Sequence, residues 1–377
     1  MRRDVIRSIW RALLATMIGV TALNAQTVVH CPSEDQPLSA RWKWANDEAA
    51  KGNAKAPYWI GYSFTKMMGV DSWTGTFYSD RSENRHTLCE LIGLQPCIKK
   101  EWSHDGVHTT IMSDCSEIID GEADENRLVE KEVAVLFEMS GGEIQRIRTT
   151  NVSLEVELSD DPIYWLGKAN DSASVLLLQS LYTDKSTENV KKGIVSSVGL
   201  HAPSELSFNF LSGVLGGSDP SSIRKECAFW LGESNPDRAL PLLEQTAEKD
   251  RAREVRENAI FAISEIKSEK ALETLIKLAR EGDDIEMRKK AMFWLGEKAS
   301  KKATAALKDL TYNGQDTEIQ KSALYALTQQ NDDENIDLVI KVAKTHPNPK
   351  VRKAAIYWLG ESGNERALNA LVEILHN

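Results

Sequence analysis

Six side chains able to hold a metal ion or form disulfides fall between positions 86 and 115: His86, Cys89, Cys97, His104, His108 and Cys115. Zinc takes four sulfur or nitrogen ligands in a tetrahedron, and Cys89, Cys97, His104 and His108 supply such a set. Seven residues separate Cys89 from Cys97, whereas the common zinc knuckles place about two to four between paired cysteines. In an oxidising compartment a Cys89–Cys97 disulfide is the simpler arrangement, with Cys31 and Cys115 available for a second bridge; a bound metal or free thiols are the alternatives. Elsewhere no nucleophile is paired with a base, no glycine-rich loop could cradle phosphate, and no carboxylate pair forms a recognisable motif. No catalytic residue, metal ligand or cofactor is therefore assigned.

The compartment is argued from the first 25 residues. Arg2, Arg3, Arg7 and Arg11 make the start positive, Ala12 to Leu23 form a short apolar core, and Ala25 offers a small residue before Gln26. That order is the pattern of a secretory signal peptide. Its apolar core falls short of the roughly 20 residues that span a bilayer. Leu23 is bulkier than the residue usual at the third place before a cut, so an uncleaved anchor is the alternative. His30, just before Cys31, occupies a place where a lipoprotein site wants a small residue. The expectation is an exported chain, periplasmic or secreted, with no membrane span once mature. The formal net charge of −10 excludes a general nucleic-acid binder, which needs a clustered cationic face.

Whatever these residues do, the elements that hold them are announced by a repeat. Phe229-Trp230-Leu231-Gly232-Glu233 returns as Phe293-Trp294-Leu295-Gly296-Glu297 and as Tyr357-Trp358-Leu359-Gly360-Glu361. Between them stand Phe261-Ala262-Ile263-Ser264-Glu265 and Tyr325-Ala326-Leu327-Thr328-Gln329. The leading aromatics are 32 residues apart each time, and internal periods of this size mark solenoids. Arg224, Arg256, Arg288 and Arg352 share one column, with Gln320 the exception. Ala259, Ala291, Ala323 and Ala355 share another, in which Cys227 reads as a small, buried, inert thiol.

Apolar spacing within each unit is helical. Ile223, Cys227 and Leu231 line one face of a first helix, ended at Gly232 by a left-handed cap. Pro236-Asp237 opens a second helix that buries Ala239, Leu240, Leu243 and Thr246, matched in the last unit by Ala367, Leu368, Leu371 and Ile374. Tyr164-Trp165-Leu166-Gly167-Lys168 and Ser196-Ser197-Val198-Gly199 extend the register upstream, which predicts seven hairpins, the first incomplete. The residue after the leading aromatic alternates large and small: Trp165, Ser197, Trp230, Ala262, Trp294, Ala326, Trp358. Such alternation predicts that each indole spreads over its neighbour's small residue.

These units resemble HEAT-like repeats of the phycobilisome-lyase type, which share the pattern at Val351-Arg352, Ala355 and Leu359-Gly360. The resemblance implies a superhelix with second helices on its inner face and partner binding as its usual role. Fold alone does not name an activity. Deoxyhypusine hydroxylase, an enzymatic relative of this repeat type, holds iron with His-Glu pairs, and no His here is followed by Glu.

Residues 26–158 have a two-residue period instead. Tyr58 to Phe64, Thr76 to Tyr78, the pair Val133–Glu138 and Ile144–Thr149 about Gly141-Gly142, and Val152 to Leu158 all read as strands. The expectation is an α+β chain of two domains: a signal peptide at 1–25, a mainly antiparallel β domain at 26–158 with one face on a core, and an all-α solenoid at 159–377. The leader, the Cys-bearing β region and the Phe-Trp-Leu-Gly motifs together resemble exported bacterial HEAT-repeat proteins.

For function, the Glu column (Glu233, Glu265, Glu297 and Glu361) offers an acidic partner ridge unless neighbouring arginines pair with it. Arg238, Glu244, Lys270, Glu273, Lys277, Lys302, Lys308, Arg366 and Glu373 give the second helices mixed charge. An extracytoplasmic scaffold for a protein or peptide partner is preferred, with self-association through the C-terminal helix in view. A ligand-binding or enzymatic N-terminal domain is the alternative.

Overall fold

The structure, a computed structural model, describes residues 26–52, 55–69, 72, 74–75, 86–94, 98–104, 107–113, 128–298, 300–330 and 333–376. The chain divides into two compact units, residues 1–193 and 194–377.

In the first unit a five-stranded sheet runs β1-β9-β2-β6-β7. Its strands are β1 (Val28–His30), β2 (Tyr58–Gly69), β6 (Leu128–Ser140), β7 (Glu143–Asn151) and β9 (Ile163–Lys168). The predicted hairpin is β6–β7, closed by Gly141 and Gly142 at φ +60° and +79°, the left-handed pair that a tight hairpin turn demands. Two short pairs stand apart from this sheet: β3 (His86–Thr87) with β8 (Glu155–Val156), and β4 (Ile98–His104) with β5 (Val107–Ser113). Val152 to Leu158 is thus no third strand of the hairpin, and the expected strand at Thr76–Tyr78 lies outside the described residues.

Two further expectations are corrected. The sheet is mixed, because β2 runs antiparallel to β6 but parallel to β9, which is itself parallel to β1. The partner β9 is the very segment expected to begin the first repeat, so the sheet closes at 168 rather than 158 and the array loses one unit. The motif alone does not make a helix. Pro162 disfavours a helical conformation for the residue before it, and Ile163, Trp165 and Leu166 are buried as strand residues.

Nor does β2 bury only one face. Trp59 packs on one side with Leu88, Ile92, Leu136 and Trp165. On the other side Tyr62 stacks on Phe137 at 6.1 Å and shares a 2.7 Å hydrogen bond with Ser174 in α3 (Asp171–Leu181). Trp42, from α1 (Leu38–Lys51), meets Phe137 edge-on at 4.8 Å. A strand covered on both faces reads as a near-continuous apolar run, and Tyr58 to Phe64 is one, interrupted only by the buried Ser63. Gly61 is required between these layers: a Cβ there would lie 2.7 Å from Leu136 and 2.9 Å from Trp165.

The second unit is built of helical hairpins, six among the described residues when the helix in which the division falls, α4 (Glu188–Gly199), is paired with α5 (Glu205–Gly216). Then come α6 (Ser221–Ser234) with α7 (Pro236–Lys249), α8 (Arg253–Glu265) with α9 (Glu269–Glu281), and α10 (Ile285–Lys298) with α11 (Lys301–Asn313). The last two are α12 (Thr317–Thr328) with α13 (Asp333–Thr345), and α14 (Pro349–Glu361) with α15 (Glu365–His376).

Gly232 does not end its helix, which continues to Ser234. Its role is contact. A Cβ on Gly232 would lie 3.2 Å from the Ala262 Cβ and 3.3 Å from its carbonyl oxygen, and one on Gly296 only 2.6 Å from the Ala326 carbonyl oxygen. One on Gly199 would lie 2.3 Å from the Trp230 indole. Consecutive first helices therefore touch backbone to backbone, and glycine is the residue that permits it.

The arginine column fixes the loops between hairpins rather than the Glu column. Arg224, 3% exposed, pairs with Asp250 and donates to the Asp219 carbonyl at 3.1 Å. Arg256 reaches Asp284 at 3.0 Å and the Asp250 carbonyl at 2.8 Å. Arg288 reaches Gln315 and the Ala279 carbonyl, and Arg352 the carbonyls of His346 and Pro347. Asp284 also accepts from the backbone N–H groups of Glu286 and Met287 at the start of α10; those bonds first, and Arg256 after them, hold its carboxyl below the usual carboxylate range.

Two outcomes follow. Gly296→Ala forces the α12 backbone away and should cost about 1–3 kcal/mol, whereas Gly360→Ala, with only Leu371 Cδ1 at 3.9 Å, should be neutral or gain up to about 1 kcal/mol of helix propensity; thermal melts of the two variants check this. Because the Asp284 carboxyl titrates lower in the folded chain than unfolded, its stabilisation is complete above the unfolded pKa and is lost as pH falls through the folded one. Acid unfolding of Asp284→Asn should thus show a shallower loss of stability below about pH 4 than the parent.

Candidate interaction surface

The first helices carry their aromatics in two stacked runs. Phe229 lies parallel to Phe261 at 6.3 Å, Phe261 meets Trp294 at 5.0 Å, and Trp230 and Trp294 stand edge-on to Phe229 and Phe293. The second run joins Tyr325 to Trp358 at 4.8 Å and Trp358 to Tyr357 at 5.1 Å. Indoles thus pack on the leading ring of the preceding hairpin, and Trp230, with no ring upstream, lies over Gly199 instead. The expectation that each indole covers its neighbour's small residue is corrected in this respect. Trp165 takes no part in these runs; it is buried in the first unit, in β9. Phe229, Phe261, Phe293 and Tyr325 are only half-buried and Tyr357 is 58% exposed, so one edge of the array presents aromatic surface.

Charge on the same unit is largely consumed between neighbouring hairpins. In the second-helix layer Glu205 pairs with Arg238, Glu244 with Lys277, Glu269 and Glu273 with Lys302, Arg280 with Asp309, Asp337 with Arg366, and Lys344 with Glu373. Their sequence separations are 33 or 29 residues. The two values differ by one helical turn, and hence mark one face of the next helix. The first-helix layer repeats the device with Arg253–Glu286, Glu257–Lys290 and Glu265–Lys298. Each exposed pair is worth only about 0–1 kcal/mol. Their larger effect is to neutralise charge locally where consecutive helices meet.

The Glu column escapes this cancellation in part. Glu265 is tied to Lys298 at 3.8 Å, but Glu233, Glu297 and Glu361 are exposed and have no ion-pair partner among the described residues. They stand at the ends of the three Trp-containing first helices, one turn after the leading aromatic ring. No pairing between this column and the arginine column forms, since the arginines are turned to the loops.

Of the cysteines, Cys31 is a buried free thiol, not half of a bridge to Cys115. It sits at the end of β1, its N–H bonded to the Trp165 carbonyl and its Sγ 3.9 Å from the Ser33 carbonyl. Cys89 is buried at the start of α2 (Leu88–Leu91), while Cys97 and Cys115 lie outside the described residues. His86, His104 and His108 fall on β3, β4 and β5, and no group of three or more metal-binding side chains occurs among the described residues. Cys227 is fully buried, and burial pushes its thiol well above its ordinary value. Cavities escaped the sequence reading altogether. One of about 620 Å³ opens between the last two hairpins, lined in part by Trp358 and Glu361. Another of about 450 Å³ borders β7, lined in part by Arg146, Arg148, Thr149 and Thr150.

Comparison with known proteins places this array. Residues 208–296 and 304–377 match the family model of HEAT repeats, and residues 208–377 form a HEAT-repeat array. Human deoxyhypusine hydroxylase, in complex with glycerol, is similar at 18% identity over 53% of this chain and 77% of that one, with a TM-score of 0.24. The complex of CpcE and CpcF of phycocyanin lyase from Nostoc sp. PCC7120 is similar at 24% identity over 46% and 72%, with a TM-score of 0.30. No curated protein matches the chain. No helix among the described residues is long and apolar enough to cross a membrane.

In the native chain Cys31 and Cys227 should resist a soluble disulfide reagent and both should react after denaturation. Thiol counting before and after guanidinium checks this, and rapid native modification of Cys227 would contradict its burial.

Proposed function

We propose that the HEAT-repeat array is a scaffold that holds a protein partner along the edge formed by its aromatic stack and unpaired glutamates. The single observation that carries this is that Glu233, Glu297 and Glu361, exposed and without an ion-pair partner among the described residues, recur in step with the half-exposed aromatic rings. A row of half-exposed rings flanked by spaced carboxylates suits a partner segment with apolar and basic side chains, which gains hydrophobic area and long-range attraction together.

The partner is met outside the cytoplasm on this proposal. Supporting it are the charge and apolar pattern of residues 2–25 and the disulfide that engages Cys89, a bond favoured in oxidising compartments. The alternative, a ligand-binding first unit, draws on the cavity beside β7. Arg148 there is already occupied, donating to the Glu157 carbonyl at 2.6 Å and lying 5.6 Å over the Trp59 ring.

The test pairs the parent chain with a Glu233→Lys, Glu297→Lys, Glu361→Lys variant, each site being exposed and thus tolerant of change. Both are immobilised and exposed to cell-envelope extract, and bound proteins are quantified by mass spectrometry. The expected result is a partner whose capture falls roughly tenfold or more on the variant, a loss of about 1.4 kcal/mol. Equal capture on both would reject the glutamate edge. Mass spectrometry of the secreted or periplasmic chain should find it beginning at Gln26.

A further inference from the structure

A periodic array supplies an internal control for each of its positions, and one hairpin departs from it at three buried places. The position held by Ala239, Ala271, Ala303 and Ala367 in the other second helices from α7 on is Asn335 in α13, only 5% exposed. Four residues on, Leu243, Leu275, Leu307 and Leu371 give way to Val339. Just before α13, Gln330 stands where the others have Ser234, Ile266, Lys298 and Ser362, and it too is buried, at 6%. The cavity of about 620 Å³ opens at this joint, with Gln330, Asn335 and Val339 in its lining. Leucine shortened to valine leaves space, and alanine replaced by asparagine puts a polar group against it.

The two amides are incompletely used. Gln330 Oε1 accepts from Thr304 Oγ1 at 2.8 Å and from Asn335 Nδ2 at 3.0 Å, and Gln330 Nε2 points to the Leu295 carbonyl at 3.5 Å. That leaves the Asn335 oxygen and its second N–H without a hydrogen-bond partner among the described residues. An acceptor and a donor on one planar group match a second amide, which offers the complementary pair. Apolar lining comes from Leu327, Ile336, Leu359 and Trp358, polar lining at the rim from Thr328, Gln329, Ser362 and Asn364, and Glu361 is exposed at the site. A volume of this size lies within the range of about 300–1,000 Å³ typical of ligand pockets.

We propose that this cavity is a binding site for a peptide segment: a bulky apolar side chain fills the space beside Val339 and Trp358, its peptide group pairs with Asn335, and a neighbouring basic side chain faces Glu361. The site shares Trp358 and Glu361 with the edge of the proposed function, while Asn335 and Val339 belong to it alone, so variants at these two test the pocket apart from the edge.

Methyl-labelled full-length chain is titrated with the capped dipeptide amide Ac-Leu-Lys-NH2, and with Ac-Leu-Glu-NH2 as the charge control. Expected are saturable shifts confined to the methyls of Ile336, Val339 and Leu359, and weaker binding of the acidic peptide. Asn335→Ala and Val339→Leu each restore the residue the rest of the array uses, so both variants should melt no lower than the parent while binding falls roughly tenfold. Absence of saturable shifts overturns the proposal, as does unchanged binding by both variants. A clear drop in melting temperature for Asn335→Ala also overturns it, because the amide would then be a structural member of the core.

Discussion

Backbone contact between consecutive first helices is the constraint from which the second unit's architecture follows. Where Gly296 lies against Ala326 there is no space for a side chain, and where Gly232 lies against Ala262 a Cβ would fit only by displacing its neighbour. Bulk must therefore move sideways, and the indoles of Trp294 and Trp358 come to rest on the rings of Phe261 and Tyr325. The alternation of Trp-Leu-Gly hairpins with Ala-Ile-Ser or Ala-Leu-Thr hairpins is the sequence form of this geometry. Two adjacent large residues would overfill the joint and two small ones would leave a void, and densely packed interiors tolerate neither.

Once the helices are this close, their charged side chains meet at fixed offsets, and the ladders at 29 and 33 residues result. Such pairs add little stability singly, yet they decide what the surface can attract. The chain has a formal charge of −10, yet its helix faces mix both signs and pair many of them across neighbouring hairpins, and carboxylates without an ion-pair partner among the described residues stand at Glu233, Glu297 and Glu361, at helix ends where the dipole disfavours them. Placement against the helix dipole, repeated every second hairpin, is more simply explained by a use outside the fold than by one within it.

The sequence made the array legible because its period is long and its residues are chemically distinctive. Aromatic, Arg and Ala columns each held register, and burial of Cys227 followed from its column alone. Gly232 was misjudged for a reason that no single helix contains: a cap and a close approach both call for glycine, and only the neighbouring helix distinguishes them. Tyr164 to Lys168 failed similarly. Its letters copy a first helix, but Pro162 disfavours a helical conformation for the residue before it and the neighbouring strands β1 and β2 complete the choice. The mixed sheet could not be foreseen, since parallel pairing of β2 with β9 joins segments about a hundred residues apart and no local pattern records it. The half-exposed rings and free glutamates were legible as columns, but which glutamates remained unpaired depended on lysines in the next hairpin.

Solenoids also explain how one joint can depart from the common plan without unfolding the whole. Their stability is close to a sum of local terms, each hairpin answering only to its neighbours. Replacing Leu by Val and Ala by Asn at buried positions would burden a compact single-core domain, because every part of such a core shares the loss. Here the burden falls between α12 and α14, and the second-helix ion pairs resume beyond it with Asp337–Arg366 and Lys344–Glu373. Regular repeats thus supply rigidity, and an irregular one can carry a pocket. Imperfection in an otherwise strict register is for that reason the most informative feature a repeat protein offers about its use.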